Sequence, residues 1–143
     1  LDVLEKLKSF FLTLGFTRVV TTTPEKHDRL IAYTSQLAHV VSASFVCTPT
    51  ADEHAGYSAG SFRDMIRVAS VDPALWSDLF LDNADNLAGE LRTLIGNLEK
   101  FAAAIEGKDR DTVVSLLATG AARKAKIESL RTLRAAAKGE TPR

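Results

Sequence analysis

Residues 72–106, DPALWSDLFLDNADNLAGELRTLIGNLEKFAAAIE, decide the fold class of this chain. Asp72 followed by Pro73 is a typical helix start, because aspartate caps the first turn and proline fits its first position. Beyond them, apolar residues recur at alternating steps of four and three, the heptad pattern of helices that pack side by side. The apolar positions are Phe80, Ala84, Leu87, Leu91, Leu94, Leu98, Phe101 and Ile105. The pattern predicts one long helix that packs either within the domain or across a two-fold dimer.

The remaining chain predicts further helices. Apolar residues at helical spacing, with caps and breakers at their ends, place them over residues 1–15, 24–46, 61–70 and from about 111 onward. Thr23 and Pro24 begin the second helix by the same cap-and-proline pattern. Residues 135–143 lack apolar anchors and are predicted to be a flexible tail. The expected fold class is therefore all-α, or mainly helical.

A single β-strand is predicted at residues 16–22, FTRVVTT, where β-branched residues cluster. One strand is not stable alone, so it must pair with a sheet in another chain or in a part of the protein that precedes this one. The first residue, Leu1, is already in helical phase. Both features suggest that the chain was cut from a longer one.

Composition excludes several functions. Of the 143 residues, 45% are hydrophobic and 25% are charged, which is usual for one globular domain. Acidic and basic residues balance at 18 each, which argues against nucleic acid as a partner. No apolar run approaches the roughly 18 residues of a membrane span. Cys47 is the only cysteine, so no intrachain disulfide can form; it is predicted to be buried, in a protein of the reducing cytoplasm.

No complete catalytic or nucleotide-binding motif is visible. The chain has no glycine-rich dinucleotide motif, no P-loop and no nucleophile elbow. None of the histidine pairs has the spacing of a helical metal pair. We therefore expect no self-sufficient catalysis by this chain, and no cofactor or metal bound by the chain alone.

A candidate anion site lies in the predicted helix of residues 61–70. Arg63, Asp64 and Arg67 share its polar face, because residues three and four apart are neighbours on a helix. Two guanidinium groups around one carboxylate suit a carboxylate or phosphate ligand, and Gly60 allows the backbone to approach that ligand. A surface salt-bridge cluster is the alternative interpretation.

A second set of polar residues lies in the helix of residues 24–46. Gln36 and His39 are three apart and share a face, and apolar neighbours predict that His39 is at least partly buried. It is either a hydrogen-bonded core histidine or a ligand-binding one. His27, in the first turn, is expected to make a local polar contact.

The order of these segments resembles a known family. PEKHD at 24–28, SQLAH at 35–39, GSFRDMIR at 60–67, DPALW at 72–76 and then Asn83 follow one another as in the C-terminal half of prephenate and arogenate dehydrogenases of tyrosine biosynthesis. The resemblance covers roughly residues 1–120. Gln36 stands where many members have a second histidine.

The resemblance implies a two-domain architecture like that of 6-phosphogluconate dehydrogenase. Residues 1–22 would be the last helix and strand of a nucleotide-binding domain that holds NAD or NADP, residues 23–134 the helical dimerisation and substrate domain, and residues 135–143 a tail. The full-length enzyme would be a cytoplasmic homodimer that oxidatively decarboxylates a small dicarboxylate, prephenate or arogenate, with reduction of NAD(P).

The resemblance also assigns roles to residues. Arg67 matches an arginine that holds a substrate carboxylate, His39 a histidine of the substrate pocket, and Asp64 a carboxylate in the surrounding ionic network. Gly60 matches the pocket wall and His27 its entrance. The family's catalytic histidine belongs to the nucleotide-binding domain, so the isolated chain is expected to be inactive. A non-enzymatic helical dimerisation or regulatory module is the alternative.

Overall fold

The computed structural model describes the backbone of residues 2–136 and the side chains of residues 2–130. Within that range the chain is mainly helical, as predicted. The elements are α1 (Asp2–Thr13), α2 (Pro24–Ile31), a π-helical turn (Ala32–Gln36), α3 (Leu37–Val46), a 3-10 turn (Pro49–Glu53), α4 (Gly60–Ile66), α5 (Pro73–Asp82), α6 (Ala84–Glu106) and α7 (Arg110–Ala136). Most of the predicted tail, residues 135–143, lies outside the described residues.

The chain divides into two compact units, Leu1–Leu91 and Arg92–Arg143, and α6 contributes to both. The first unit contains α1 to α5 with the start of α6. The second contains the rest of α6 and α7. Among the residues described, no helix is both long enough and apolar enough to cross a lipid bilayer.

The predicted helix caps are present. The side-chain oxygen of Thr23 accepts a hydrogen bond from the Lys26 N–H at 3.3 Å, and that of Asp72 accepts one from the Leu75 N–H at 2.9 Å. Pro24 and Pro73 occupy the first positions of α2 and α5. Gly15, with φ +92°, adopts the left-handed conformation that commonly follows a helix end.

The predicted strand at residues 16–22 is wrong as a description of this chain. The segment that joins α1 to α2 forms no strand, and no other strand exists within residues 2–136. A β-strand is stabilised by hydrogen bonds to a neighbouring strand, which the described part of the chain does not supply. A β-branched composition alone does not determine the secondary structure of this segment.

The long helix predicted after Asp72 is also wrong in one respect, because it is interrupted at Asn83. This residue has φ −119° and ψ 29°, which separates α5 from α6. Its side-chain amide donates to the backbone oxygen of Asp28 and to Oε1 of Gln36, both at 2.8 Å. These two long-range hydrogen bonds favour the break over a continuous helix.

The core of the described residues is small. In the first unit the buried hydrophobic residues are Ala32, Leu37 and Leu87, and in the second unit it is Ala104. The heptad positions of α6 therefore differ: Leu87 is buried, whereas Leu98 and Ile105 are 58% and 62% exposed. Cys47, predicted to be buried, is exposed at the C-terminal end of α3.

In the second unit, a tight turn joins α6 to α7. Lys108 has a positive φ of 51°, and the Asp109 N–H bonds back to the carbonyl of Ala104 at 2.9 Å. Asp109 then caps α7, because its carboxylate accepts from the N–H of Thr112 at 3.0 Å and from its hydroxyl at 2.7 Å. These hydrogen bonds, the backbone one first, hold the pKa of Asp109 below its ordinary value.

This cap predicts a pH-dependent stability. A lowered folded-state pKa means that the stabilisation is present above the unfolded carboxyl pKa, near pH 4, and is lost as the pH falls through the lower folded value. Asp109→Ala should therefore lower the Tm clearly at pH 7 and much less at pH 2.5, as measured by circular dichroism. Asp111→Ala is the control, an acidic residue in the same first turn. An Asp109→Ala effect of equal size at both pH values would contradict the assignment.

Candidate functional site

Helices α3 and α4 pack antiparallel, and their contacts recur every three residues along both segments. Phe45 contacts Phe62 with ring centroids 5.9 Å apart, and the Ser42 hydroxyl donates to the Met65 carbonyl at 2.6 Å. One turn earlier in α3, Nδ1 of His39 lies 2.8 Å from the Val68 carbonyl oxygen. Residues 39, 42 and 45 lie on one face of α3, so this face holds α4 and the turn that follows it.

His39 is partly buried, as predicted, and its orientation is fixed from two sides. A carbonyl oxygen can only accept, so Nδ1 of His39 carries the proton in its contact with Val68. The Trp76 ring of α5 packs against the imidazole, with centroids 3.8 Å apart and planes at 44°. Nε2 is then the ring nitrogen for which no hydrogen bond is present within the described residues.

Arg67 lies at the end of α4, directly before the residue that His39 contacts. Its backbone N–H closes the helix by bonding to the Arg63 carbonyl at 3.1 Å. The side chains of Arg63, Asp64 and Arg67 are exposed, and none of them forms an ion pair within the described residues. The predicted alternative of a salt-bridge cluster is therefore not observed within the described residues.

The two other predicted site residues lie at the starts of helices. Gly60 is the first residue of α4, and a Cβ atom there would meet nothing within 4 Å, so no described neighbour requires glycine. His27 makes the local contact predicted for it, since its Nδ1 lies 2.9 Å from Oδ1 of Asp28. No described contact joins His27 to His39 or Arg67.

Gln36 points to a different place from His39. It is 5% exposed and donates from Nε2 to the Leu79 carbonyl at 2.7 Å, while its Oε1 accepts from Asn83. Asn83 in turn accepts from the Asn86 amide at 2.8 Å. This chain of amides ties the π-helical turn to the end of α5 and the start of α6. Gln36 thus has an internal structural role.

The sequence prediction missed two residues of the site. Trp76 was expected only to be a core anchor with Phe80, and it also packs on His39. Ser42 is 2% exposed and was not singled out. Its position three residues after His39 was a usable signal, because it places both side chains on one helix face.

Among the described residues, no group of three or more potential ligands could hold a metal ion.

The chain matches a family model described as prephenate dehydrogenase, dimerization domain, over residues 23–119. It is 38% identical over 100 residues to a cyclohexadienyl dehydrogenase of Zymomonas mobilis, covering 66% of this chain and 34% of that protein. It is 31% identical over 99 residues to a prephenate dehydrogenase of Bacillus subtilis, covering 66% and 27%. The chain thus spans about a third of the first relative's length and about a quarter of the second's.

Solved structures have the same fold. A Synechocystis arogenate dehydrogenase superposes with a TM-score of 0.72 at 22% identity, covering 88% of this chain and 48% of that one. A prephenate dehydrogenase from A. aeolicus, in complex with hydroxyphenyl propionate and NAD+, superposes with a TM-score of 0.64 at 28% identity, covering 77% and 40%. The family match and the helical fold agree with the resemblance in the sequence, and this chain belongs to the prephenate dehydrogenase dimerization-domain family.

Proposed function

We propose that this chain is the helical C-terminal part of a prephenate or arogenate dehydrogenase. The full-length protein would oxidise the ring of its substrate by hydride transfer to NAD(P), with loss of carbon dioxide and formation of an aromatic ring. In this proposal the chain provides part of the substrate pocket and the dimer interface. The catalytic histidine and the nucleotide-binding residues belong to the domain that precedes it.

The observation that carries the proposal is that Arg67 directly precedes Val68, whose carbonyl oxygen contacts His39. Both substrates carry carboxylates, and a guanidinium group binds a carboxylate through two parallel hydrogen bonds. Arg67 is exposed and has no ion-pair partner in the described part of the chain, while its neighbour Val68 accepts the hydrogen bond that orients His39. A cation and an oriented imidazole at one end of α4 suit the recognition of an anionic substrate.

The proposed pocket also includes Asp64, Gly60 and His27, each with a different role. Asp64 lies three residues before Arg67 on α4, where its carboxylate can orient a neighbouring guanidinium once substrate is bound. Gly60 lies at the N-terminal end of the same helix and is proposed to form the pocket wall. His27, paired with Asp28, is proposed to lie at the entrance.

We also propose that residues 1–22 belong to the nucleotide-binding half, residues 23–134 to the helical domain and residues 135–143 to a tail. The family match begins at residue 23, which supports the first boundary. No residue of α1 is buried, and Val3, Phe10 and Leu12 are 70%, 54% and 50% exposed. A helix with this much exposed apolar surface requires a partner, and the rest of a nucleotide-binding domain would supply it.

A homodimer is the proposed assembly. The family is named for dimerization. Leu98 of α6 and Leu117 of α7 are 58% and 60% exposed, and Ile105 is 62% exposed. Apolar side chains in a heptad pattern that remain exposed in one chain are typical of a subunit interface. We propose a cytoplasmic location, because NAD(P) is available there to enzymes of amino-acid synthesis.

The experiment that tests this function is NAD(P)H formation from prephenate and from arogenate by the full-length parent protein, followed at 340 nm. Turnover of either substrate is the expected result, and its cofactor preference identifies NAD or NADP. The isolated chain should produce no NAD(P)H. Absence of turnover with both substrates in a folded, dimeric parent protein would favour a non-enzymatic dimerisation module.

A further inference from the structure

The hydroxyl of Ser42 makes an unusual contact for a serine inside a helix. Hydroxyl groups in helices commonly bond to a carbonyl of their own preceding turn. Thr34, Ser77 and Thr119 do so, at 2.6–2.9 Å from the carbonyl oxygens of residues 30, 73, 74 and 115. Ser42 instead donates to Met65 of another helix at 2.6 Å. Its 2% exposure shields this bond from water.

The accepting carbonyl lies where α4 ends. The last four carbonyls of a helix lack partners in the following turn. In α4, the Arg63 carbonyl accepts from the Arg67 N–H and the Ile66 carbonyl accepts from the Ala69 N–H at 3.0 Å. The Ala69 N–H would bond to Met65 if the helix continued regularly. The Ser42 hydroxyl donates to the Met65 carbonyl in place of the Ala69 N–H, so the chain can turn immediately after Ile66.

Arg67 occupies this turn between two contacts with α3. Ser42 holds the Met65 carbonyl on one side, and His39 holds the Val68 carbonyl at 2.8 Å on the other. The Arg67 side chain itself forms no ion pair within the described residues. No carboxylate within the described residues holds the guanidinium, so the backbone of this turn determines where the side chain of Arg67 begins.

We propose that Ser42 is a positioning residue that fixes Arg67 for carboxylate binding through the Met65 carbonyl; this rests on the function proposed above for Arg67. Without the Ser42 hydroxyl, the Met65 carbonyl loses the partner of a part-buried hydrogen bond, which is unfavourable. The Ala69 N–H can satisfy it only by leaving Ile66, which lengthens α4 and moves the turn that carries Arg67. The guanidinium is then displaced from the substrate carboxylate.

The test is a double-mutant cycle in the full-length protein, with KM and kcat measured for the dicarboxylate substrate. Ser42→Ala should raise this KM about tenfold, with kcat and the KM for NAD(P) within about twofold. In the Arg67→Ala background the same substitution should change KM by less than about twofold, because no guanidinium remains to be positioned. Ser44→Ala, an exposed serine of the same helix, should leave all constants unchanged.

The outcomes separate this proposal from the proposed function. If Arg67→Ala leaves KM unchanged, the carboxylate role of Arg67 fails, and the positioning role fails with it. If Arg67→Ala raises KM but Ser42→Ala does not, or acts equally in both backgrounds, only the positioning role is overturned. Ser42→Cys keeps the shape of the side chain with a weaker donor, and it carries the same cycle if Ser42→Ala does not fold.

Discussion

Arg67→Ala in the full-length protein is expected to raise KM for the dicarboxylate substrate by about 10- to 100-fold, the usual contribution of a hydrogen-bonded ion pair to binding. The kcat should fall less, because the carboxylate bears the same charge in the ground state and in the transition state. Steady-state kinetics at saturating NAD(P) give both constants. The exposed guanidinium has no ion pair to lose within the described residues, so protein stability should be unaffected.

The chain supplies a matched control for this experiment. Arg63 lies one turn earlier on α4, is also exposed and also forms no ion pair in the described structure. Arg63→Ala removes the same charge from the same helix, so it corrects for any general loss of electrostatic attraction. An equal rise of KM in both variants would indicate attraction by net charge and would reject a specific carboxylate contact at Arg67.

Asn83→Ala is expected to reduce the free energy of unfolding by about 2–4 kcal/mol. The substitution removes hydrogen bonds to the Asp28 carbonyl, to Gln36 and from Asn86. The Gln36 oxygen, in a side chain that is 5% exposed, is then left without this partner. Alanine also favours a continuous helix through position 83. Urea denaturation at fixed protein concentration measures the change, since dissociation of a dimer would otherwise contribute.

Asn97→Ala is the matched control, because Asn97 is an exposed asparagine of α6 whose only described side-chain hydrogen bond is to Lys100 at 3.4 Å. It should change the free energy of unfolding by less than about 0.5 kcal/mol. If Asn83→Ala costs no more than Asn97→Ala, the amide network does not stabilise the fold. A Gln36→Ala, Asn83→Ala double variant should lose less than the sum of the single effects, because both belong to one network.

Local signals in the sequence were sufficient for the helix starts. The side chains of Thr23 and Asp72 act within three residues of their own positions, so no tertiary information was needed to place α2 and α5. The break at Asn83 was not predictable in this way. Its two long-range partners, Asp28 and Gln36, lie 55 and 47 residues away in the chain. A helical pattern in the sequence cannot reveal hydrogen bonds to residues so far away in the chain.

In the candidate site, too, the features set by local sequence were predictable and those set by distant partners were not. Helical periodicity placed Arg63, Asp64 and Arg67 on an exposed face, and apolar neighbours indicated partial burial of His39. The partners of His39 were not visible, because the Val68 carbonyl is backbone and Trp76 belongs to a different helix. The strand predicted at residues 16–22 failed for a related reason, since strand formation depends on a neighbour that composition does not describe.

The π-helical turn at Ala32–Gln36 has a consequence for how this protein can change in evolution. Each residue of an α-helix advances the side-chain direction by about 100°. Loss of one residue in this turn would leave two good helices, yet it would rotate α2 relative to α3 and displace the Asp28 carbonyl from the Asn83 amide that donates to it. Point substitutions of exposed residues here should be tolerated, whereas single-residue deletions should not be. The length of this segment, more than its composition, is therefore what selection must preserve.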